Sequence, residues 1–270
     1  MNLATVRLMA VDLDGTLLGG VGTASGDIQT ELLSVIALAH QQGLAFALVT
    51  GRNLDYVVRL LARYPVLEQC LSGAVTEERF VYTTRQGSLE PLSEWNDQML
   101  QIELEALSIA QRYVAHRWQE LQHLDPRLTR HQIENEDDRG YVEIVCSTSS
   151  KCRQVARALQ DGLPVGLQVM RNIYGIKIRS QAVGKGMALE KLGRLLRFSP
   201  DRILAIGDGE NDLSMLDGHY GFQAATVANA QDVVADCIRR NGGLIATQPC
   251  GAGVAEIITR WLDAQGRLVG

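Results

Sequence analysis

The sequence predicts an α/β protein with a parallel sheet at its core and a second, α+β domain inserted into that core. Three observations support this class. Short uncharged apolar runs alternate with segments of helical periodicity early in the chain, this alternation resumes late in the chain, and the segment between them carries shorter strands and one long helix. Alternating strands and helices are typical of a Rossmann-like sheet, because parallel strands need crossover connections. We therefore expect residues 1–72 and 183–270 to form the core and residues 73–182 to form the inserted domain.

The core elements follow from the spacing of the apolar residues. The runs Leu8–Val11, Leu44–Val49 and Ile203–Ile206 are uncharged and predict buried strands. Apolar residues at helical spacing predict a helix over Ile28–Gln42, which Gly43 would end. The remaining predicted core elements are helices over Leu54–Arg63, Gly184–Leu196 and Val254–Leu262 and a short strand over Gly221–Ala225.

The inserted segment has a different pattern, which predicts an α+β arrangement. Its predicted strands are Val81–Thr83, Tyr141–Cys146, Val165–Met170 and Ile173–Ile178, and its predicted helices are Trp95–Leu121 and Lys151–Leu159. The charged stretch Leu124–Gly140 is typical of a solvated loop. Tyr174, Lys177 and Arg179 alternate near the end of the segment, and we consider them candidates to face a substrate crevice.

Charge and cysteine content narrow the class of protein. The formal net charge is −5 and no cluster of Lys and Arg stands out, which argues against a nucleic-acid partner or an anionic membrane surface. The five cysteines are an odd number without a Cys-x-x-Cys pair, so we expect reduced thiols and a cytoplasmic location. Met1–Thr5 has no basic region followed by an apolar segment, so we expect no secretory signal. The sequence predicts no particular oligomeric state.

Each of the three apolar strands is followed by polar residues. Ligands bind at the carboxyl ends of parallel strands, which share one edge of the sheet, so these residues should lie close together. They are the carboxylates of Asp12, Asp14, Asp208 and Asp212, the hydroxyls of Thr16 and Thr50 and the amide of Asn211. Lys185, which follows none of these strands, is a further candidate for the same crevice. Several carboxylates in one crevice repel each other and need a counter-charge. Mg²⁺ fits better than zinc, because no His or Cys accompanies the oxygen donors.

Simpler interpretations stay open for individual residues. Asp14 and the glycine after it commonly form a turn. Lys185 lies between glycines and, by itself, would be an exposed loop residue. Asp208 and Asp212 could cap a short helix, since Asp is preferred at that position. Arg52 has either a surface role or a place beside the phosphate site.

Four motifs in this order resemble those of the haloacid dehalogenase superfamily of phosphohydrolases. The spacing between the second and third motifs is similar to the branch with a large α+β cap, which includes Cof-like hydrolases and sucrose-phosphate phosphatases. The motifs are Asp12-Leu13-Asp14-Gly15-Thr16, Thr50-Gly51-Arg52, Gly184-Lys185-Gly186 and Gly207-Asp208-Gly209-Glu210-Asn211-Asp212. The resemblance covers essentially the whole chain.

The resemblance implies a Mg²⁺-dependent phosphatase that acts on a small phosphorylated metabolite, in particular a sugar phosphate. It implies that Asp12 is the nucleophile and becomes an aspartyl-phosphate, and that Asp14 protonates the leaving alcohol and later deprotonates water. The implied metal ligands are the Asp12 carboxylate, the Asp14 backbone carbonyl and Asp208, with Asp212 in support. The implied phosphate-binding residues are Thr50, Gly51, Lys185 and Asn211.

Two other functions fit parts of this pattern. A phosphomutase such as a phosphomannomutase shares the core and both aspartates, and isomer formation would distinguish it from phosphate release. A non-catalytic protein that binds a phosphorylated metabolite is disfavoured, because the acidic and phosphate-binding set is complete. The chain departs from many relatives at Leu71-Ser72-Gly73-Ala74, where they carry Asn-Gly. That departure removes the basis for a substrate contact from such an asparagine.

Overall fold

The computed structural model describes residues 1–19, 27–130, 140–171 and 174–266. The chain forms two compact units, which we call the core unit (Met1–Leu92 with Lys185–Gly270) and the inserted unit (Ser93–Gly184). Most of the predicted loop Leu124–Gly140 lies outside the described residues. No helix in the described ranges is both long and apolar enough to cross a membrane.

Strands and helices, numbered in chain order, account for most of the described residues. The strands are β1 Leu8–Val11, β2 Ala45–Val49, β3 Leu71–Thr76, β4 Phe80–Arg85, β5 Ser88–Pro91, β6 Thr129–Arg130, β7 Val142–Val145, β8 Leu167–Arg171, β9 Gly175–Ser180, β10 Ile203–Ile206, β11 Gln223–Thr226 and β12 Leu244–Ile245. The helices are α1 Thr30–Gln41, α2 Leu54–Arg63, α3 Pro65–Cys70, α4 Ser93–Leu124, α5 Ser149–Gln160, α6 Lys185–Leu195, α7 Leu213–Leu216, α8 Asp232–Arg240 and α9 Cys250–Ala264. Short 3₁₀ turns lie at Leu3–Thr5, Pro200–Arg202 and Glu210–Asp212.

The core unit contains a mostly parallel sheet in the order β12-β11-β10-β1-β2-β3-β4-β5. The pairings from β12 to β3 are parallel, and β4 and β5 then add an antiparallel edge. The four residues of β1 are 0% exposed, as expected for a central strand covered on both faces. This confirms the predicted α/β class with a Rossmann-like parallel sheet.

The register of the central strands determines which residues meet at the sheet edge. Val11 lies opposite Ile206 on β10 and Leu48 on β2. Asp12 therefore leaves β1 level with the ends of both neighbouring strands. The polar residues that follow β2 and β10 are brought to the same edge by this pairing.

The predicted division at residues 72/73 is wrong. The expected boundary falls inside β3, which pairs in parallel with β2. The predicted strand Val81–Thr83 was placed in the insertion but lies in β4, and β4 and β5 extend the same core sheet. The inserted unit accordingly starts at Ser93, and the core unit resumes at Lys185, two residues later than expected.

The inserted unit is built on an antiparallel sheet in the order β6-β7-β9-β8. Helices α4 and α5 pack on one face of this sheet, with Leu107, Val155 and Ile176 in the shared apolar core. Arg179 was a candidate for a crevice, and this was wrong: its side chain is fully buried and forms an ion pair with Glu103 of α4.

Candidate active site

Asp12 is the first residue after β1 and its side chain is almost fully buried, 4% exposed. Its backbone N–H still donates to the Ile206 carbonyl at 2.9 Å, so the residue continues the ladder of the sheet. Gly15 turns the chain with φ +87°, and a Cβ at this position would lie only 2.5 Å from Asp208 Oδ2. Glycine is therefore required both for the turn and for the close approach of Asp208.

A buried lysine joins the first and fourth sequence motifs. Lys185, the first residue of α6, is 0% exposed, and its Nζ lies 2.6 Å from Asp12 Oδ1 and 2.5 Å from Asp212 Oδ1. Because both carboxylates are also buried, these contacts have little solvent screening. The interpretation of Lys185 as an exposed loop residue is thereby excluded.

Asp212 has two tasks. Its Oδ2 accepts hydrogen bonds from the backbone N–H groups of Asp208 and Gly209, at 3.0 and 2.9 Å, and so shapes the loop after β10. Its Oδ1 accepts from Lys185. The expectation that Asp212 caps the local turn and the expectation that it belongs to the charged site therefore hold together.

Three carboxylates come together at a position suited to a metal ion. One oxygen each from Asp12, Asp208 and Asp212 lies within 4.8 Å of the others. Thr16 orients Asp208, because its hydroxyl donates to Asp208 Oδ1 at 2.7 Å. A set of carboxylate oxygens without His or Cys fits a hard divalent cation.

Burial and mutual repulsion raise the pKa values of two acids of this cluster. Burial raises the pKa of Asp12 well above its usual value, against the opposing effect of Lys185. Burial and the charge of Asp212 raise the pKa of Asp208 to about 6. Burial disfavours the charged amine of Lys185, but the charges of Asp12 and Asp212 outweigh it and raise its pKa. When ionised, the three carboxylates carry more negative charge than Lys185 alone can balance.

The carboxylate of Asp14 is held apart from the three clustered acids. It forms a two-pronged ion pair with Arg52, in which Nε and Nη2 each lie 2.7 Å from a carboxylate oxygen. The Arg52 guanidinium also stacks 4.7 Å from the ring of Tyr56. The sequence left the role of Arg52 open, and the structure gives it a defined partner at the site.

The second motif lies beside this ion pair. Thr50 is 0% exposed, and its hydroxyl accepts a hydrogen bond from the Arg52 N–H at 3.1 Å. Its backbone N–H donates to the carbonyl of Val75 in β3 at 2.9 Å, which fixes the loop after β2 at the sheet edge.

Sequence reasoning missed one acidic residue of the site. Glu78 lies in the turn between β3 and β4, is 2% exposed, and accepts a hydrogen bond from Asn211 Nδ2 at 3.2 Å. No sequence motif indicates it, because the sequence pattern places this segment in the insertion.

The fold and site together define a class of protein: an α/β enzyme with an acidic metal-type cluster and a buried lysine at the carboxyl ends of its strands. A model of the haloacid dehalogenase-like hydrolases matches residues 9–239. The chain therefore belongs to this family of hydrolases, which confirms the resemblance.

The chain has modest sequence identity to individual proteins of known name. The chain is 28% identical over 215 residues to a glucosylglycerol-phosphate synthase from Pseudomonas anguilliseptica, a match that covers 79% of this chain but only 25% of that protein. It is 23% identical over 252 residues to a phosphoglycolate phosphatase from Pyrobaculum islandicum, covering 93% of this chain and 94% of the relative.

Two solved structures share the fold. The sucrose-phosphatase from Synechocystis, solved with sucrose and phosphate, superposes with a TM-score of 0.63 at 18% identity over 97% of this chain and 98% of that chain. A Cof-like hydrolase from Plasmodium vivax superposes with a TM-score of 0.67 at 17% identity over 96% of both chains.

Proposed function

We propose that this protein is a Mg²⁺-dependent phosphatase that hydrolyses a small phosphomonoester through an aspartyl-phosphate intermediate on Asp12. One observation carries the proposal. The Asp12 carboxylate contacts Lys185 through Oδ1 and, within 4.8 Å, shares a cluster with Asp208 and Asp212. A carboxylate between a fixed cation and an acidic metal-type cluster is suited to attack an anionic phosphoryl group.

The reaction has two displacements at phosphorus. An Asp12 carboxylate oxygen attacks, the ester P–O bond breaks, and Asp14, which enters this step protonated and released from Arg52, gives its proton to the leaving alcohol. Asp14 then takes a proton from water as the water attacks, which breaks the bond between phosphorus and Asp12 and restores the carboxylate. The Arg52 pair orients the Asp14 carboxylate in the free enzyme.

The phosphate-binding groups would be Thr50, Gly51, Lys185 and Asn211. Lys185 supplies a positive charge, and the hydroxyl and amide groups supply hydrogen bonds. Mg²⁺ would be held by the carboxylates of Asp12 and Asp208 and the Asp14 backbone carbonyl, with Asp212 in support. When bound, the metal ion supplies positive charge that polarises a phosphoryl oxygen and favours the ionised form of the nucleophile.

The substrate class is proposed from the relatives. Their names refer to phosphoglycolate, glucosylglycerol phosphate and sucrose, which supports a small phosphorylated metabolite. A sugar phosphate is our first candidate and phosphoglycolate our second. We assign selection of the leaving group to the inserted unit, as a cap. The cytoplasmic location stays a prediction from the cysteine pattern.

Phosphate release from a panel of sugar phosphates and other small phosphomonoesters tests this function. We expect release with Mg²⁺, none in excess chelator, and a loss of about 10⁴-fold or more in Asp12→Asn, whose fold should be kept. Phosphate release by Asp12→Asn at the wild-type rate would refute the assignment of Asp12 as the nucleophile. Isomer formation from a sugar phosphate with a bisphosphorylated sugar, in place of release, would favour the phosphomutase.

A further inference from the structure

The turn between β3 and β4 places a buried carboxylate beside the proposed phosphate site. The Glu78 side chain is 2% exposed, and its Oε1 lies 3.2 Å from Asn211 Nδ2. The same oxygen would lie 3.2 Å from a Cβ added to Gly51, so Glu78 is also close to the second motif. The proposed reaction gives this carboxylate no task.

The backbone of this turn is strained. Glu77 and Glu78 have φ values of +50° and +66°, in the left-handed region that non-glycine residues adopt at a cost in free energy. Strain of this kind is retained where the surrounding structure fixes it, and it concentrates at functional sites. A glycine at position 78 would adopt the same turn more easily, but it would remove the carboxylate.

Backbone hydrogen bonds tie the turn to the loop after β2. The Glu78 N–H donates to the Thr50 carbonyl and the Glu77 N–H donates to the Arg52 carbonyl, both at 2.9 Å. The position of the Glu78 carboxylate is therefore determined by the same loop that carries Thr50 and Gly51.

We propose that Glu78 is a positioning residue for phosphate binding, which fixes the side-chain amide of Asn211 so that its NH₂ group serves the phosphoryl group. An amide NH₂ has two hydrogens, and an ionised carboxylate is an acceptor only. One Asn211 hydrogen donates to Glu78, which leaves the second for a phosphoryl oxygen. The carboxylate also prevents the amide from flipping, since the Asn211 carbonyl would face a negative charge.

The inference rests on the proposed role of Asn211 in phosphate binding, and the chain offers a matched control. Glu77 lies in the same turn with the same backbone strain, but its carboxylate pairs with Arg79 at 3.1 Å. Glu77→Gly and Glu78→Gly therefore relieve similar strain, and only the second removes the contact to Asn211. Each variant also loses a carboxylate contact, so thermal melting of both is measured and binding is compared at a temperature at which both are folded.

The test measures the dissociation constant of inorganic phosphate by calorimetry with Mg²⁺, and KM and kcat for one phosphomonoester. In Glu78→Gly we expect the phosphate dissociation constant and KM to rise about tenfold, with a smaller change in kcat. In Glu77→Gly both constants should stay within about twofold of wild type. Glu78→Gln keeps an acceptor oxygen and should recover most of the binding.

A double-mutant cycle shows whether Glu78 acts through Asn211. We expect Glu78→Gly to have no further effect in an Asn211→Ala background. If Glu78→Gly does not fold, Glu78→Asn replaces it, because asparagine tolerates left-handed backbone but is too short to keep the contact.

Two results would overturn the inference. One is wild-type phosphate affinity in Glu78→Gly. The other is a double variant of Glu78 and Asn211 whose fold loss of phosphate affinity equals the product of the two single losses. Absence of phosphate binding by the wild-type protein would overturn it together with the site. Phosphate binding that depends on Glu78, without hydrolysis of any ester, would support the inference and refute only the proposed function.

Discussion

Arg179 in the inserted unit and Lys185 in the core unit are both fully buried cations, and their carboxylate contacts differ. Among the described contacts, Arg179 forms a two-pronged ion pair in which its Nε and Nη2 lie 2.5 and 2.9 Å from the two oxygens of Glu103. Lys185 in the core unit contacts two carboxylates, Asp12 and Asp212. A third acid of the same cluster, Asp208, has a pKa raised to about 6.

The difference distinguishes a structural ion pair from a functional one. Arg179 and Glu103 meet in matched two-pronged geometry, which is typical of a structural ion pair. The acids around Lys185 outnumber it, and this excess of carboxylates is what the proposed Mg²⁺ would offset. Charge imbalance, more than burial, indicates which of the two is the site.

The largest expected effect is that of Lys185→Met. Without the amine, the buried carboxylates repel each other and the phosphoryl group loses a positive partner. We expect kcat/KM to fall by roughly 10³-fold and the free energy of unfolding to fall by about 3 kcal/mol or more. Phosphate release and urea unfolding measure the two effects. Activity within tenfold of wild type would contradict the role of Lys185.

Arg179→Met removes the cation from the ion pair with Glu103, as Lys185→Met does in the acidic cluster. It removes the two-pronged partner of the buried Glu103 carboxylate and should lower the free energy of unfolding by roughly 3–5 kcal/mol, while kcat/KM of the folded enzyme stays near wild type. The double variant Glu103→Leu/Arg179→Met should recover most of the stability, because both members of the buried pair are then apolar. A large loss of kcat/KM in the stable double variant would refute the structural assignment.

Asp208→Asn tests the excess of carboxylates around Lys185 through the pH dependence of the protein's stability. The folded-state pKa of about 6 lies above the usual 3.8, so the metal-free native state binds its proton more tightly than the unfolded state. Stability from this group is therefore lost as pH rises from about 4 through 6, by roughly 2–3 kcal/mol. In chelator, Asp208→Asn should melt above wild type at pH 7.5, and the difference should shrink at pH 4.5. A pH-independent difference would contradict this account.

The smallest expected effect is that of Arg52→Lys. Lysine cannot reproduce the two-pronged contact with Asp14, so the carboxylate loses its fixed orientation and kcat should fall about tenfold. Arg63 is a matched control, since it pairs with Asp27 at 2.6 Å and lies 5.4 Å from the ring of Tyr64. Arg63→Lys should leave kcat unchanged; equal effects of the two substitutions would show that the Asp14 contact has no special role.

The parts of the site that follow strands could be predicted from sequence. Asp12 and Asp208 come directly after apolar runs, and parallel pairing brings such ends together whatever the details of the loops. The sequence could not predict that β4 and β5 belong to the core sheet, because nothing in such short strands indicates which sheet they join. The boundary at residue 73 was wrong for this reason.

Side-chain partners at the site were beyond sequence reasoning. The contact between Glu78 and Asn211 depends on a turn with left-handed glutamates, whereas turn prediction relies on Gly, Asn and Asp at such positions. The Arg52 contact to Asp14 depends on side-chain conformations at the ends of two strands. The site role of Lys185 follows from resemblance, since its burial depends on packing that its neighbouring glycines do not indicate.

The most direct test of the central claim is to trap the phosphorylated enzyme. Wild-type protein is mixed with Mg²⁺ and a reactive phosphomonoester, quenched in acid during turnover, and digested for mass spectrometry. We expect the mass of one phosphoryl group on the peptide that contains Asp12, absent from Asp12→Asn. Steady phosphate release with no phosphoryl group on Asp12, or with the group on another residue, would contradict the account.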